Sequence, residues 1–85
     1  MKIIRVNAIW CPGCIVMKKT WKKIEEKYPD IEYIDFDYDM DEGEVIPLAV
    51  GTKLPVAIFY KEEKEVARLN GEKEEEDILN VIKEL

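Results

Sequence analysis

Eighty-five residues make one domain rather than two, and 47% hydrophobic residues beside 38% charged ones supply enough Ile, Leu, Val and aromatic side chains to offset chain entropy, which excludes disorder. The formal net charge of −6, with acidic runs such as Glu74-Glu75-Glu76-Asp77, opposes nucleic acid and anionic membrane surfaces, because both draw affinity from Lys and Arg set against phosphates. No apolar run approaches the ~20 residues that span a bilayer, and Lys2 and Arg5 interrupt the first apolar stretch too early for a secretory leader, so a cytoplasmic protein is expected.

Lys2 to Ile9 is apolar and β-branched, as a buried strand requires. Cys11 to Tyr28 is predicted helical. Met17, Trp21, Ile24 and Tyr28 fall on one face, with Lys18, Lys19, Lys22, Lys23 and Lys27 on the other. Pro12 suits a first helical turn, where its missing N–H costs nothing, and Pro29-Asp30 ends the helix. Ile31 to Tyr38 is a second strand with Ile34, Phe36 and Tyr38 on one face. Between Asp39 and Val50, Asp41 and Glu44 have the spacing of a capping box, but Pro47 limits the segment to a short or broken helix. Pro55 to Tyr60 and Val66 to Leu69 are strands joined by a hairpin at Glu62–Lys64. After Gly71, Ile78, Val81, Ile82 and Leu85 mark the inner face of a last helix.

Strand–helix–strand at the start implies a parallel pair with a right-handed crossover, and the hairpin an antiparallel edge. The expected class is α/β: a four-stranded mixed sheet flanked by helices in the order β-α-β-α-β-β-α, one domain over residues 1–85.

The chain has two cysteines and no histidine. A cytosolic pair is more often catalytic or metal-binding than structural, and a bridge over so short a loop constrains little of the unfolded chain. Cys11-Pro12-Gly13-Cys14 falls at the strand-to-helix junction, where unpaired helix N–H groups and the macrodipole favour an anion. Thiols at such sites drop from ~8.5 into a range of roughly 3.5–7.5. Cys11 is therefore the expected nucleophile on a target disulfide. Cys14, a turn further in and expected to be more buried, is the resolving thiol that releases the reduced target. Trp10 is either core or part of a contact surface.

Trp10-Cys11-Pro12-Gly13-Cys14 after a buried strand, Leu54-Pro55 opening a later strand and Gly71 before the last helix together resemble the thioredoxin family. The likeness covers nearly the whole chain, minus the first strand and helix of full-length thioredoxins, and in length the chain is nearer to glutaredoxins. The resemblance implies a cis Leu54-Pro55 bond whose loop faces the cysteines; a target peptide would add as a strand on the backbone of Leu54, beside Pro55 and Trp10. The alternative for Pro55 is an ordinary strand-start proline. It further implies no cofactor beyond the Cys11–Cys14 dithiol itself. The implied partners are protein disulfides and a thiol reductase or other dithiol donor; no coiled coil or obvious apolar patch in the sequence predicts an oligomer, so a monomer is the default.

Three residues depart from the pattern or tune it. Pro12 and Gly13 stand in reversed order relative to the usual Gly-Pro, and these two positions influence redox potential. Arg5 occupies the place of the family's buried acid, six residues before the first cysteine. Near the thiols it would favour a thiolate, and proton transfer from Cys14 would need another route. Arg5 and Asn7 share a face of a central strand and need partners, with Asp35 or Asp37 as candidates; otherwise Arg5 lies at the strand's exposed end.

Other readings compete. A glutathione-dependent role finds no clear binding pattern, since Glu72-Lys73-Glu74 would not welcome carboxylates. A Cu(I) or zinc carrier would use the same two thiolates, although zinc would need a dimer to reach four ligands, and copper chaperones carry Met where Ile9 stands. A redox-responsive interaction module without turnover is the third. Asp35, Asp37, Asp39 and Asp41 fail the EF-hand spacing, with Glu42 and Leu48 where glycine and glutamate are required.

Overall fold

The computed structural model describes residues 1–85. Its elements are β1 (Lys2–Asn7), α1 (Pro12–Lys27), β2 (Glu32–Asp37), α2 (Glu42–Val45) running into a 3₁₀ turn (Ile46–Leu48), β3 (Val56–Lys61), β4 (Lys64–Asn70) and α3 (Glu75–Glu84). The sheet order is β2-β1-β3-β4, with β1 and β2 parallel and the other pairs antiparallel. This is the expected mixed sheet in the expected element order.

Alternation on β1 divides the core in two. Ile3 faces α1 and α3 and packs with Met17, Trp21, Ile24, Ala57, Phe59, Ile78 and Ile82. Ile4 and Val6 face the other way, toward Val45, Val50, Val56 and Ile58, and Ile34, Phe36 and Tyr38 of the second strand region close that side. The predicted inner faces of α1 and α3 are realised. Tyr28 and Leu85, which cap the ends of α1 and α3, are only half-buried at the margin of this core, as is Val81.

The middle of the chain is broken as Pro47 requires, a four-residue helix followed by the 3₁₀ turn. The predicted capping box at Asp41 does not form. Asp41 Oδ2 instead accepts the N–H of Asp37 at 2.8 Å, tying the end of β2 to α2. The hairpin between β3 and β4 turns on Glu62 and Glu63, both with positive φ (54° and 68°), the mirror-image geometry whose twist matches paired strands.

Candidate active site

β1 ends at Asn7, and the chain bends through Ala8, Ile9 and Trp10 before α1 begins; the Cys11 N–H returns to the Ala8 carbonyl at 3.2 Å. Cys11 is the residue that caps α1. Its extended backbone lets Sγ accept the N–H of Cys14 at 3.1 Å, which satisfies one of the orphan donors at the helix start. Pro12 occupies the first helical position, where no donor is lost. A thiolate at Cys11 would thus sit on the positive end of α1.

Both thiols are free, and both are 5% exposed. The expectation that Cys14 would be the more buried does not hold. Cys11 is covered as well, because Ala8, Tyr38 and Leu54 pack around the pair. Burial, with the hydrogen bond to Cys11, pushes the Cys14 thiol up to about 12.

The Leu54–Pro55 peptide bond is cis, and its loop lies against the start of α1. A Cβ placed on Gly13 would sit 3.4 Å from Pro55 Cδ and 3.7 Å from Glu72, so this position admits the close approach of the loop. The Pro55 carbonyl accepts the N–H of Gly71 at 2.7 Å. Gly71 has φ +83°, so a side chain there would strain the backbone.

Trp10 is 57% exposed beside the thiols, which places it on the surface rather than in the core. Its ring meets Tyr38 edge-on at 5.9 Å, and its Nε1–H donates to Asp39 Oδ2 at 2.7 Å. Tyr38 and Asp39 were not among the expected site residues. Tyr38 was legible only as one member of an apolar alternation, and Asp39 only as part of a solvated acidic strand end.

Arg5 is 8% exposed in the middle of β1, not at an open strand end. Nε and Nη2 grip Asp35 at 2.6 and 2.8 Å, and Nη1 donates to Glu25 at 3.0 Å. The guanidinium carbon lies 5.1 Å from the Trp21 ring and 5.0 Å from the Tyr33 ring. Register places Asp35 directly opposite Arg5 and Asp37 opposite Asn7, so Asp35 is the strand partner Arg5 needed. Desolvation by burial lowers the Arg5 pKa, but its two carboxylates outweigh it, and the group is held above its ordinary value.

The four aspartates of the acidic stretch are each held by a protein donor. Asp35 binds Arg5, Asp37 Oδ1 accepts the N–H groups of Asp39 and Met40 at 2.9 Å each, Asp39 holds Trp10, and Asp41 holds Asp37 N–H. No three His, Cys, Asp or Glu side chains gather as metal ligands.

The family model described as thioredoxin matches residues 1–84. The chain belongs to the thioredoxin family. It is similar to thioredoxin of Ophiophagus hannah, 30% identical over 73 residues that cover 86% of this chain and 69% of that protein. It is also similar to thioredoxin-2 of Saccharomyces cerevisiae, 34% identical over 69 residues, 81% of this chain and 65% of the relative. Against thioredoxin H5 of rice (Oryza sativa), the chain spans half of the relative's length. Among solved structures, thioredoxin-2 of a malaria parasite superposes with a TM-score of 0.91 at 24% identity, covering 99% of this chain and 82% of that one. A thioredoxin f2, solved in complex with ferredoxin:thioredoxin reductase, superposes at 0.82 with 25% identity, covering 98% of this chain and 74% of that one. Membership in the thioredoxin family carries thiol–disulfide oxidoreductase activity in general. No helix is long and apolar enough to cross a membrane.

Proposed function

We propose that this thioredoxin-family chain exchanges its Cys11–Cys14 dithiol with protein disulfides through a mixed disulfide. The observation that carries the reading is Cys11 Sγ at the N-cap of α1, receiving the Cys14 N–H, beneath the loop at Leu54-Pro55. In the first step the Cys11 thiolate attacks one sulfur of the target; the target S–S bond breaks and the other target sulfur leaves as a thiolate. In the second step Cys14 loses its proton and attacks Cys11 Sγ. The Cys11–Cys14 bond forms, the mixed disulfide breaks, and the target has gained two electrons.

Trp10, Leu54 and Pro55 form the target-binding surface, with an extended target segment pairing to the backbone of Leu54. Pro12 and Gly13 set the first turn of α1 and thereby tune the potential. Arg5 acts on the potential only at second hand, since two carboxylates neutralise it. A thiol reductase or other dithiol donor, of the kind named for the thioredoxin f2 complex, returns the pair to the dithiol. The protein works as a cytoplasmic monomer, without nucleic acid, membrane, metal or added cofactor.

The test is turnover of a protein disulfide with a small dithiol as donor. Cys11→Ser abolishes turnover; Cys14→Ser stalls after the first step and accumulates mixed disulfides that survive denaturing electrophoresis without reductant. Full turnover in Cys11→Ser refutes the assignment. So does the lack of a reversible two-electron couple in thiol buffers, which would turn attention to Cu(I) and zinc binding.

A further inference from the structure

Resolution requires Cys14 to lose a proton, and the thiol is buried. The strand position that faces α1 below it is occupied by Arg5, which has no lone pair for a proton. A cleft of about 480 Å³ opens beside Cys14 between α1 and the β1–β2 edge. Its charged lining consists of Arg5, Lys18, Glu25, Asp35 and Asp37. The other titratable groups against the cysteine pair are each other and Tyr38, with Glu72 beyond Gly13.

Only three groups in the cleft are carboxylates, and two of them are engaged. Asp35 gives both oxygens to Arg5, and Glu25 gives Oε2 to the same guanidinium. A carboxylate paired with a cation is a poor proton acceptor. Asp37 has no cation partner. Its Oδ1 is occupied by the N–H groups of Asp39 and Met40, which fix the side chain, and Oδ2 has no protein partner. Asp37 stands in register with Asn7, two residues along from the Arg5–Asp35 pair, on the face toward α1.

We propose that Asp37 is the proton acceptor for Cys14, reached through water in this cleft. The proposal rests on the dithiol reading of the site. The Cys14 S–H bond breaks, its proton passes by water to Asp37 Oδ2, and the sulfur electron pair forms the bond to Cys11 as the target sulfur departs with the electrons of the mixed disulfide. The oxidant is the target disulfide itself. Asp37 then returns the proton to solvent, since it lies on an edge strand and is only half-buried. In the mixed disulfide Cys11 no longer bears a thiol or thiolate, so two of the influences that hold the Cys14 proton, its hydrogen bond and its charge, are gone.

The test is the pH profile of the resolution step in Asp37→Asn, which keeps Oδ1 for the two backbone amides and removes the basic oxygen. Resolution is followed by rapid mixing of the reduced protein with a disulfide peptide, and the first step separately by alkylation of Cys11. The expected result is a loss on the order of 10²-fold in resolution near about pH 7, the low end of what a positioned base supplies. The loss shrinks toward alkaline pH as hydroxide takes over, and the alkylation rate stays at the wild-type value. An unchanged profile overturns the proposal, as does a loss equal at every pH. A loss that appears in Glu25→Gln rather than Asp37→Asn also overturns it, by moving the acceptor. If the wild type forms no mixed disulfide at all, the dithiol reading itself fails, and this outcome is separate from the other three.

Discussion

Arg5→Ala is the substitution whose cost the geometry sets most directly. Three hydrogen bonds join charged groups at 2.6, 2.8 and 3.0 Å, and such bonds contribute ~1.5–3 kcal/mol each where both partners are buried. Here only the arginine is: its side chain is 10% exposed against 57% for Asp35 and 45% for Glu25. After truncation both carboxylates regain water, so about half the gross value survives, roughly 2–4 kcal/mol. Loss of the guanidinium from between Trp21 and Tyr33 adds about 0.5–1 kcal/mol. The expected total is ~3–5 kcal/mol, against a whole stability of roughly 4–13 kcal/mol for a domain of this length. In Tm this is a fall of about 12–40 °C. Urea unfolding followed by Trp fluorescence reads it, because Trp21 lies against the arginine. Arg5→Lys keeps the charge without the two-pronged grip and loses about 1–2 kcal/mol. Arg5→Met retains contact with the two rings but loses all three hydrogen bonds, about 2–4 kcal/mol. An alanine loss below about 1 kcal/mol, or a lysine variant equal to wild type, would refute the view that the forked pairing holds this strand.

Four further outcomes are expected. The Cys14 thiol, raised from 9.0 to about 12 in the fold, keeps its proton where the unfolded chain has lost it; its stabilisation is complete below the unfolded value and disappears as pH rises through the folded one. Reduced wild type should therefore lose stability relative to Cys14→Ser between about pH 9 and 12, read by urea midpoints across that range. Replacing Glu62-Glu63 by Asn-Gly relieves two residues with positive φ and should stabilise by about 1–2 kcal/mol, with no change in turnover. Gly71→Ala forces a side chain into a left-handed backbone, and a loss of about 1–2 kcal/mol with slower turnover is expected in denaturation and activity assays. Ile24→Ala removes a fully buried side chain from under α1, which should lower stability by ~2–5 kcal/mol in urea.

Much of this was legible in the sequence because the residues involved act locally or by periodicity. Pro12 and the cysteine spacing mark a helix start, Pro47 forbids a long second helix, and Ile78 and Ile82 announce the buried face of α3. Arg5 and Asn7 on one face of a β-branched strand signalled that partners were required, and Asp35 was among the two candidates. Register was not legible: which aspartate lies opposite Arg5 depends on where two distant strands align, and Glu25, 20 residues away on a helix, left no trace in the pattern. The relative burial of the two cysteines was not legible for the same reason. Position along a helix predicts depth only for an uncovered helix end, and here Leu54 and Tyr38, both remote in sequence, pack against the cysteine pair. The failed capping box at Asp41 shows the competition plainly. The same carboxylate can cap its own helix or hold a neighbouring strand, and spacing alone does not choose.

The open margin of β2 has a consequence for the protein at high concentration. An outer strand with unpaired backbone groups is a template on which identical chains can stack. On this one, Glu32, Asp35 and Asp37 recur along six residues, and Asp39 and Asp41 continue the series just beyond. A second copy laid edge to edge would bring carboxylates against carboxylates in either direction, with only Asp35 carrying a neutralising cation. At the opposite margin the ladder is irregular between Phe59 and Tyr60, which interrupts a flat surface for docking. Growth into filaments is thus opposed electrostatically at one border and geometrically at the other.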